Sequence, residues 1–134
     1  MKKLVILFLF ALVQNLPYSF NIYDFSRMKH LYDNIYILKV KTGEEFWISL
    51  FGNTSTGEVY DKLLNYLHIP YELEYFGNNG NATEIEPYYG NNRYPLKGVY
   101  LYYYKFKAHE PSYNRVFLQF GGGNKQIIIY VNIF

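Results

Sequence analysis

The chain predicts an all-β fold: an immunoglobulin-like antiparallel β-sandwich of about seven short strands, with one short helical turn. Three observations predict it. Several segments alternate apolar and polar residues with period 2 between clusters of Gly, Asn and Pro, the pattern of half-buried strands. Aromatic residues make up 22% of the chain and 17 of them are Tyr, and such side chains suit a pleated, half-buried surface. No pattern of helical period and crossover length recurs between the strand segments, which argues against a parallel sheet wrapped in helices.

The first residues read as a secretory signal peptide, residues 1–19: Lys2 and Lys3, an apolar run from Leu4 to Val13, then polar and small residues through Ser19. The run is shorter than the ~20 apolar residues that span a bilayer, so no membrane partner is expected once it is removed. Residues 20–134 are left as one domain of about 115 residues, long enough to bury a core. Asn34–Val40 and Glu45–Phe51, separated by Lys41 to Glu44, read as a first hairpin. Farther on, Val59, Leu63, Leu64 and Leu67 have helical spacing and give the short helical turn, and Tyr71–Phe76 follows as a strand. Gly77–Asn92 is rich in Asn and Gly and reads as a long irregular loop. Val99–Ala108, Asn114–Phe120 and Gln126–Phe134 are three more strands, and the links between them are short enough for antiparallel neighbours.

Composition and motifs exclude several classes of function. The chain has 13 basic and 11 acidic residues, and loss of Lys2 and Lys3 leaves a formally neutral domain with no general hold on phosphate backbones or anionic lipid. Nucleic acid is therefore not an expected partner, and a monomer is expected. The absence of cysteine excludes disulfides, thiol catalysis and cysteine-ligated zinc. Gly52 to Gly57 matches the first half of a phosphate-binding loop, but Glu58 stands where the lysine must be. Gly121 to Gly123 precedes a strand rather than a helix N-terminus, which a hairpin turn explains. Ser55 is not in a G-x-S-x-G elbow. His30, His68 and His109 are scattered, and the pairs Glu44 with Glu45, Glu72 with Glu74, and Glu84 with Glu86 fit solvated strand faces and loops. No catalytic residue, metal site or cofactor is expected, and the chain does not read as an enzyme. Two sequons, Asn53-Thr-Ser and Asn81-Ala-Thr, fall in expected loops of a secreted chain, with Asn81 the favoured acceptor.

The stretch Gly43 to Tyr60, G-E-E-F-W-I-S-L-F-G-N-T-S-T-G-E-V-Y, runs a strand into a hydroxyl-rich loop closed by glycine. It resembles the first binding loop of the chagasin-like inhibitors of papain-type cysteine peptidases, which carries N-P-T-T-G before an aromatic residue. Here the corresponding residues are Asn53, Thr54, Ser55, Thr56 and Gly57, with Tyr60 three residues on. The resemblance covers roughly Tyr32 to Phe134. The family's second loop carries G-x-G-G before a long strand; Pro95, Leu96, Lys97 and Gly98 stand there, and Gly98 alone matches. Its third loop carries R-P-W; Gly121, Gly122, Gly123 and Asn124 stand there instead.

What the resemblance implies is a proteinaceous inhibitor of the secretory pathway, secreted or endolysosomal/vacuolar, whose partner is a papain-like cysteine peptidase. The three loops would occlude the active-site cleft, with hydrogen bonds from Thr56 and its neighbours, a sharp turn at Gly57, and Leu96 offered to an apolar pocket. Trp47 and Tyr60 would pack beneath the first loop. Thr54 in place of proline would loosen that loop, and the triple glycine would add ordering cost to the third, so weaker or narrower inhibition is implied. The alternative reading is a secreted immunoglobulin-like module whose Tyr- and Asn-rich loops recognise a protein or a glycan without inhibiting a peptidase.

Overall fold

The computed structural model describes residues 21–134, and the expected leader, residues 1–19, lies outside the described residues. The fold is an all-β sandwich. Ten strands occur among the described residues: β1 (Ile22–Tyr23), β2 (Lys29–Tyr32), β3 (Ile35–Val40), β4 (Glu45–Asn53), β5 (Lys62–Leu63), β6 (Leu73–Tyr75), β7 (Glu84–Pro87), β8 (Val99–Ala108), β9 (Val116–Gly121) and β10 (Ile127–Ile133). One sheet runs β1-β4-β8-β6, with β7 also on β8, and the other runs β2-β3-β10-β9-β5.

The core lies between the sheets and follows the alternation of the sequence. From β8, Tyr102, Tyr104, Phe106 and Ala108 point inward with Phe46, Ile48 and Leu50 of β4. They meet Leu38 and Val40 of β3, Val116, Leu118 and Phe120 of β9, and every second residue of β10 from Ile127 to Ile133. Every second residue on a strand shares a face, so each strand contributes one apolar row. Tyr104 is fully buried and donates its hydroxyl to the Tyr60 carbonyl, and its ring centroid lies 4.7 Å from that of Phe120. A buried phenol needs such an acceptor, because an unpaired hydroxyl in an apolar core is costly.

Several expectations need correction. β3 and β4 do not pair as a hairpin. The link between them crosses from one sheet to the other, with Thr42 N–H donating to the Phe134 carbonyl at 2.8 Å and Gly43 N–H to Ala108 at 2.6 Å. The physical reason is that Leu38 and Val40 on one strand and Phe46 and Ile48 on the next all bury inward, which requires the strands to face each other across the core. The segment after Ala108 likewise changes sheets, since β8 pairs with β4, β6 and β7 while β9 pairs with β10 and β5. The hairpin β9–β10 is antiparallel as expected, from Phe120 opposite Ile127 to Val116 opposite Val131.

Two pairings are parallel, β3 with β10 and β1 with β4, so the sheets are mixed. The extra strands over the expected number are short pieces: β1 and β5 have two residues each and β2 and β7 four each. β7 lies inside the segment expected to be irregular, pairing from Glu84 opposite Tyr103 to Pro87 opposite Tyr100. All four of its residues are exposed, so no buried row betrayed it, and its charges and proline suit a sheet edge. The expected helical turn is a single 3-10 turn, Tyr66–His68. Leu63 is buried in β5 while Leu67 stays 76% exposed, so the helical spacing of the leucines does not correspond to one buried face.

Candidate functional site

The first loop is built from its own hydrogen bonds. Asn53 ends β4 in an extended conformation, and its Oδ1 accepts from the Ser55 N–H at 3.0 Å and the Ser55 hydroxyl at 2.7 Å. This caps one 3-10 turn, Thr54–Thr56, which Gly57 closes in the left-handed region at φ 79°. The Thr56 hydroxyl reaches the Asn53 carbonyl at 3.0 Å and the Glu58 carboxylate. The Ser55 and Thr56 hydroxyl protons are therefore directed to acceptors inside the loop. Both side chains remain exposed, and their oxygens keep acceptor capacity.

The second and third loops pack against the first. Thr54 N–H donates to the Gly98 carbonyl at 2.8 Å, and a Cβ on Gly98 would lie 2.7 Å from Thr54 Oγ1. On the other side the Gly57 carbonyl accepts from Asn124 N–H at 3.1 Å and Lys125 N–H at 3.3 Å. The approach is close enough that a Cβ on Gly123 would lie 2.6 Å from that same carbonyl oxygen. Asn53 to Gly57, Gly98 and Gly121 to Asn124 thus form one contiguous surface at one end of the sandwich. The triple glycine turn is tied to the first loop through the Gly57 carbonyl, and Thr54 supplies a link that proline, with no N–H, could not.

Of the second loop, Pro95, Leu96 and Lys97 are exposed, with Leu96 41% exposed. Leu96 N–H donates to the Tyr88 carbonyl at 2.8 Å, and the Tyr88 ring meets Phe51 edge-on at 5.0 Å. Tyr88 is thus an anchor that the sequence reading missed, hidden in the segment taken as irregular. A second missed residue is Asp61. Its Oδ1 is buried without a hydrogen-bond partner and faces Gly122, whose φ is 140° and whose Cβ would lie 1.9 Å from that oxygen. No local motif signals either residue, because Tyr88 packs on Phe51 and Asp61 faces Gly122, partners remote in sequence.

Tyr60 is 2% exposed and meets Tyr102 edge-on at 6.3 Å, core beneath the loops as expected. Burial pushes its hydroxyl up to about 12. Trp47 does not support the loop. It projects from the outer face of β4, opposite Lys105 and edge-on to Tyr103 at 6.3 Å. The Lys105 ammonium lies 5.7 Å from its ring centroid. Of the two sequon asparagines, Asn53 is half-buried with its Oδ1 occupied by Ser55, whereas Asn81 is exposed. Among the described residues no group of His, Asp and Glu is arranged to hold a metal ion.

A cleft of about 450 Å³ adjoins this end on the outer face of the β4–β8 sheet, walled by Phe25, Phe51, Tyr88 and Tyr103. At its floor Ser49 is 7% exposed, the one buried polar residue among those described. Tyr103 donates to Glu86 Oε1 at 2.6 Å; burial first, then this carboxylate, push its hydroxyl up to about 12.

No family model matches the chain, and no curated protein matches it. Among solved structures it is similar to the solution structure of amebosin, at 12% identity over 84% of this chain and 96% of that chain, with a TM-score of 0.39. A likeness of that size carries no argument.

Proposed function

We propose that this chain inhibits papain-like cysteine peptidases, entering the active-site cleft with the three loops at one end of its sandwich. The observation that carries the reading is their union by backbone hydrogen bonds, Thr54 N–H to Gly98 and Asn124 and Lys125 N–H to Gly57. A wedge assembled in advance loses little entropy on docking, and preorganisation is a main determinant of affinity at a given area. The first loop also resists cleavage by its own geometry. The carbonyls of Asn53, Thr54 and Gly57 already accept hydrogen bonds from Glu58, Gly57 and Asn124 N–H, so turning one toward a thiolate and an oxyanion hole breaks the turn. The exposed Leu96 side chain is available to an apolar pocket of the peptidase. On this reading the protein follows the secretory pathway and works as a monomer, secreted or in an endolysosomal or vacuolar compartment.

The test is titration of the folded protein against several papain-like peptidases with a fluorogenic peptide substrate. Competitive inhibition that Gly57→Val weakens at unchanged fold supports the reading, and no inhibition at micromolar concentration by folded protein sinks it. A second reading, a module that binds a protein or a neutral glycan, is favoured by the aromatic cleft over Ser49. Under that reading Tyr103→Ala and Tyr88→Ala abolish ligand capture, and Gly57→Val leaves it intact.

A further inference from the structure

The charges of the sandwich are sorted by sheet. The strands β2, β3, β5, β9 and β10 carry Lys29, Lys39 and Lys62 and no carboxylate, whereas the strands of the other sheet carry Glu45, Glu74, Glu84 and Glu86 against Lys105 and Lys107. A neutral total therefore hides one basic face. On its outer side a cleft of about 430 Å³ is lined by Arg27, Lys29, Ile37, Lys39, Arg115 and Asn132. The register gathers them: Lys29 lies opposite Ile37, Lys39 opposite Asn132, and Arg115 directly precedes Val116, which lies opposite Val131.

Lys29, Lys39 and Arg115 are exposed and take no part in the carboxylate contacts of basic side chains among the described residues, the ion pair of Lys105 with Glu45 at 3.2 Å and the contact of His109 with Glu74 at 2.5 Å. No acidic residue precedes Asp24 in the chain, so the preceding residues hold no carboxylate that could neutralise them. With Arg27, four like charges surround one cleft and repel one another, and a bound anion relieves that repulsion. We propose that this cleft binds an acidic saccharide chain, its sulfate or carboxylate groups held by Lys29, Lys39 and Arg115.

The lining favours that ligand over other polyanions. A guanidinium takes an oxyanion with two parallel N–H donors, and the two ammonium groups add point charges on either side. Asn132 supplies both a donor and an acceptor for sugar hydroxyls, and Ile37 is an apolar floor for the C–H face of a ring. No aromatic side chain lines the cleft, so a nucleic-acid base has nothing to stack on. The same four cations could meet an anionic lipid head group, and phosphatidylserine vesicles are therefore the control that separates a membrane from a saccharide.

The cleft also stands apart from the loop cluster. Arg115 precedes the start of β9 and Lys39 lies opposite Asn132 near the end of β10, whereas the triple glycine joins the other ends of those strands. Both sites can be occupied at once, and the saccharide site does not depend on the inhibitor reading.

Calorimetric titration of the full protein with a heparin-derived tetrasaccharide tests the proposal. Binding is expected, weakened several-fold between ~50 and ~200 mM salt. Lys39→Glu with Arg115→Glu should weaken it by about tenfold or more, with a smaller loss in the same direction for Lys39→Gln. Lys62→Glu, on the same sheet but beside Gly121, should leave it unchanged, as should Gly57→Val in the loop cluster, and a neutral tetrasaccharide should not bind. Absence of binding, an equal loss in Lys62→Glu, or tighter binding of single-stranded DNA or of phosphatidylserine vesicles overturns it.

Discussion

Under the proposed resemblance to the chagasin-like loop Thr54 takes the place of a proline, and at the scale of single residues this is the most informative position in the chain. Its N–H donates to the Gly98 carbonyl at 2.8 Å and joins two loops that are far apart in sequence. Proline has no N–H, so Thr54→Pro exchanges one source of order for another: it restricts the unfolded chain but deletes the link. The lost hydrogen bond costs about 1 kcal/mol, and the Gly98 carbonyl must then find water. The expected outcome is a lower urea midpoint at unchanged slope and, under the proposed inhibitor function, weaker inhibition; a rise in both would show that local stiffness outweighs the link. Gly98 reports on the same contact from the other side, since its φ of 77° and the 2.7 Å approach to Thr54 Oγ1 both oppose a side chain. Gly98→Ala should cost ~1–3 kcal/mol. Thr54→Ala in the same chain removes the hydroxyl that clashes but not the backbone strain, so a double-mutant cycle should recover part of the loss and leave the rest.

At the scale of elements, the third loop is held by its fit against the first. Gly123→Ala places a Cβ 2.6 Å from the Gly57 carbonyl oxygen, a backbone atom that cannot rotate away, so the Asn124 and Lys125 N–H bonds to that carbonyl should break. Amide hydrogen exchange should then quicken at Asn124 and Lys125 with little change in β10. Gly43→Ala is the contrast: its φ is 88° but nothing lies within 4 Å of the added Cβ, so its cost should be confined to its own turn. Elements differ in the same way in how far the sequence reveals them. The buried rows of β8 and β10 were legible because an inward apolar residue at every second position needs only local pattern. The step from β3 to β4 was not. A four-residue link serves a hairpin or an arch equally well, and what decides is that Leu38 and Val40 face Phe46 and Ile48 across the core. β7 escaped because an edge strand exposed at every residue carries no such row. The first loop could be read from Asn53 to Gly57, but its union with Gly98 and Gly123 is tertiary and has no local signature.

For the whole molecule, a core rich in tyrosine fixes the pH range over which the sandwich can hold. Burial is the first cause of raised hydroxyl pKa values at Tyr23, Tyr60, Tyr75 and Tyr103, each pushed from 10.0 to about 12, and Tyr104 is pushed further in the same direction. At Tyr23 the hydrogen bond to Glu44 adds to burial, as the Glu86 bond does at Tyr103. The sign follows from proton counts. Below 10.0 both folded and unfolded chains keep these protons; between 10.0 and about 12 the unfolded chain releases them and the folded chain does not. The unfolded state then binds fewer protons, so stability falls as pH rises and is lost through the upper value. Five such groups act together, and the alkaline transition should be steeper than one titration. Melting temperature followed from about pH 8 to 12 should fall across that window, with a late wave of tyrosinate absorbance coincident with loss of near-ultraviolet ellipticity. A folded protein whose tyrosines all ionise near 10.0 with unchanged melting temperature would show that the core does not enforce the shift. Tyr104→Phe separates the two effects of a buried phenol. It removes the hydrogen bond to the Tyr60 carbonyl, which should cost about 1 kcal/mol at neutral pH, yet it also removes the most strongly shifted hydroxyl. The stability gap from the parent protein should therefore narrow as pH rises above 10.0, because the parent loses a contribution that the phenylalanine chain no longer carries.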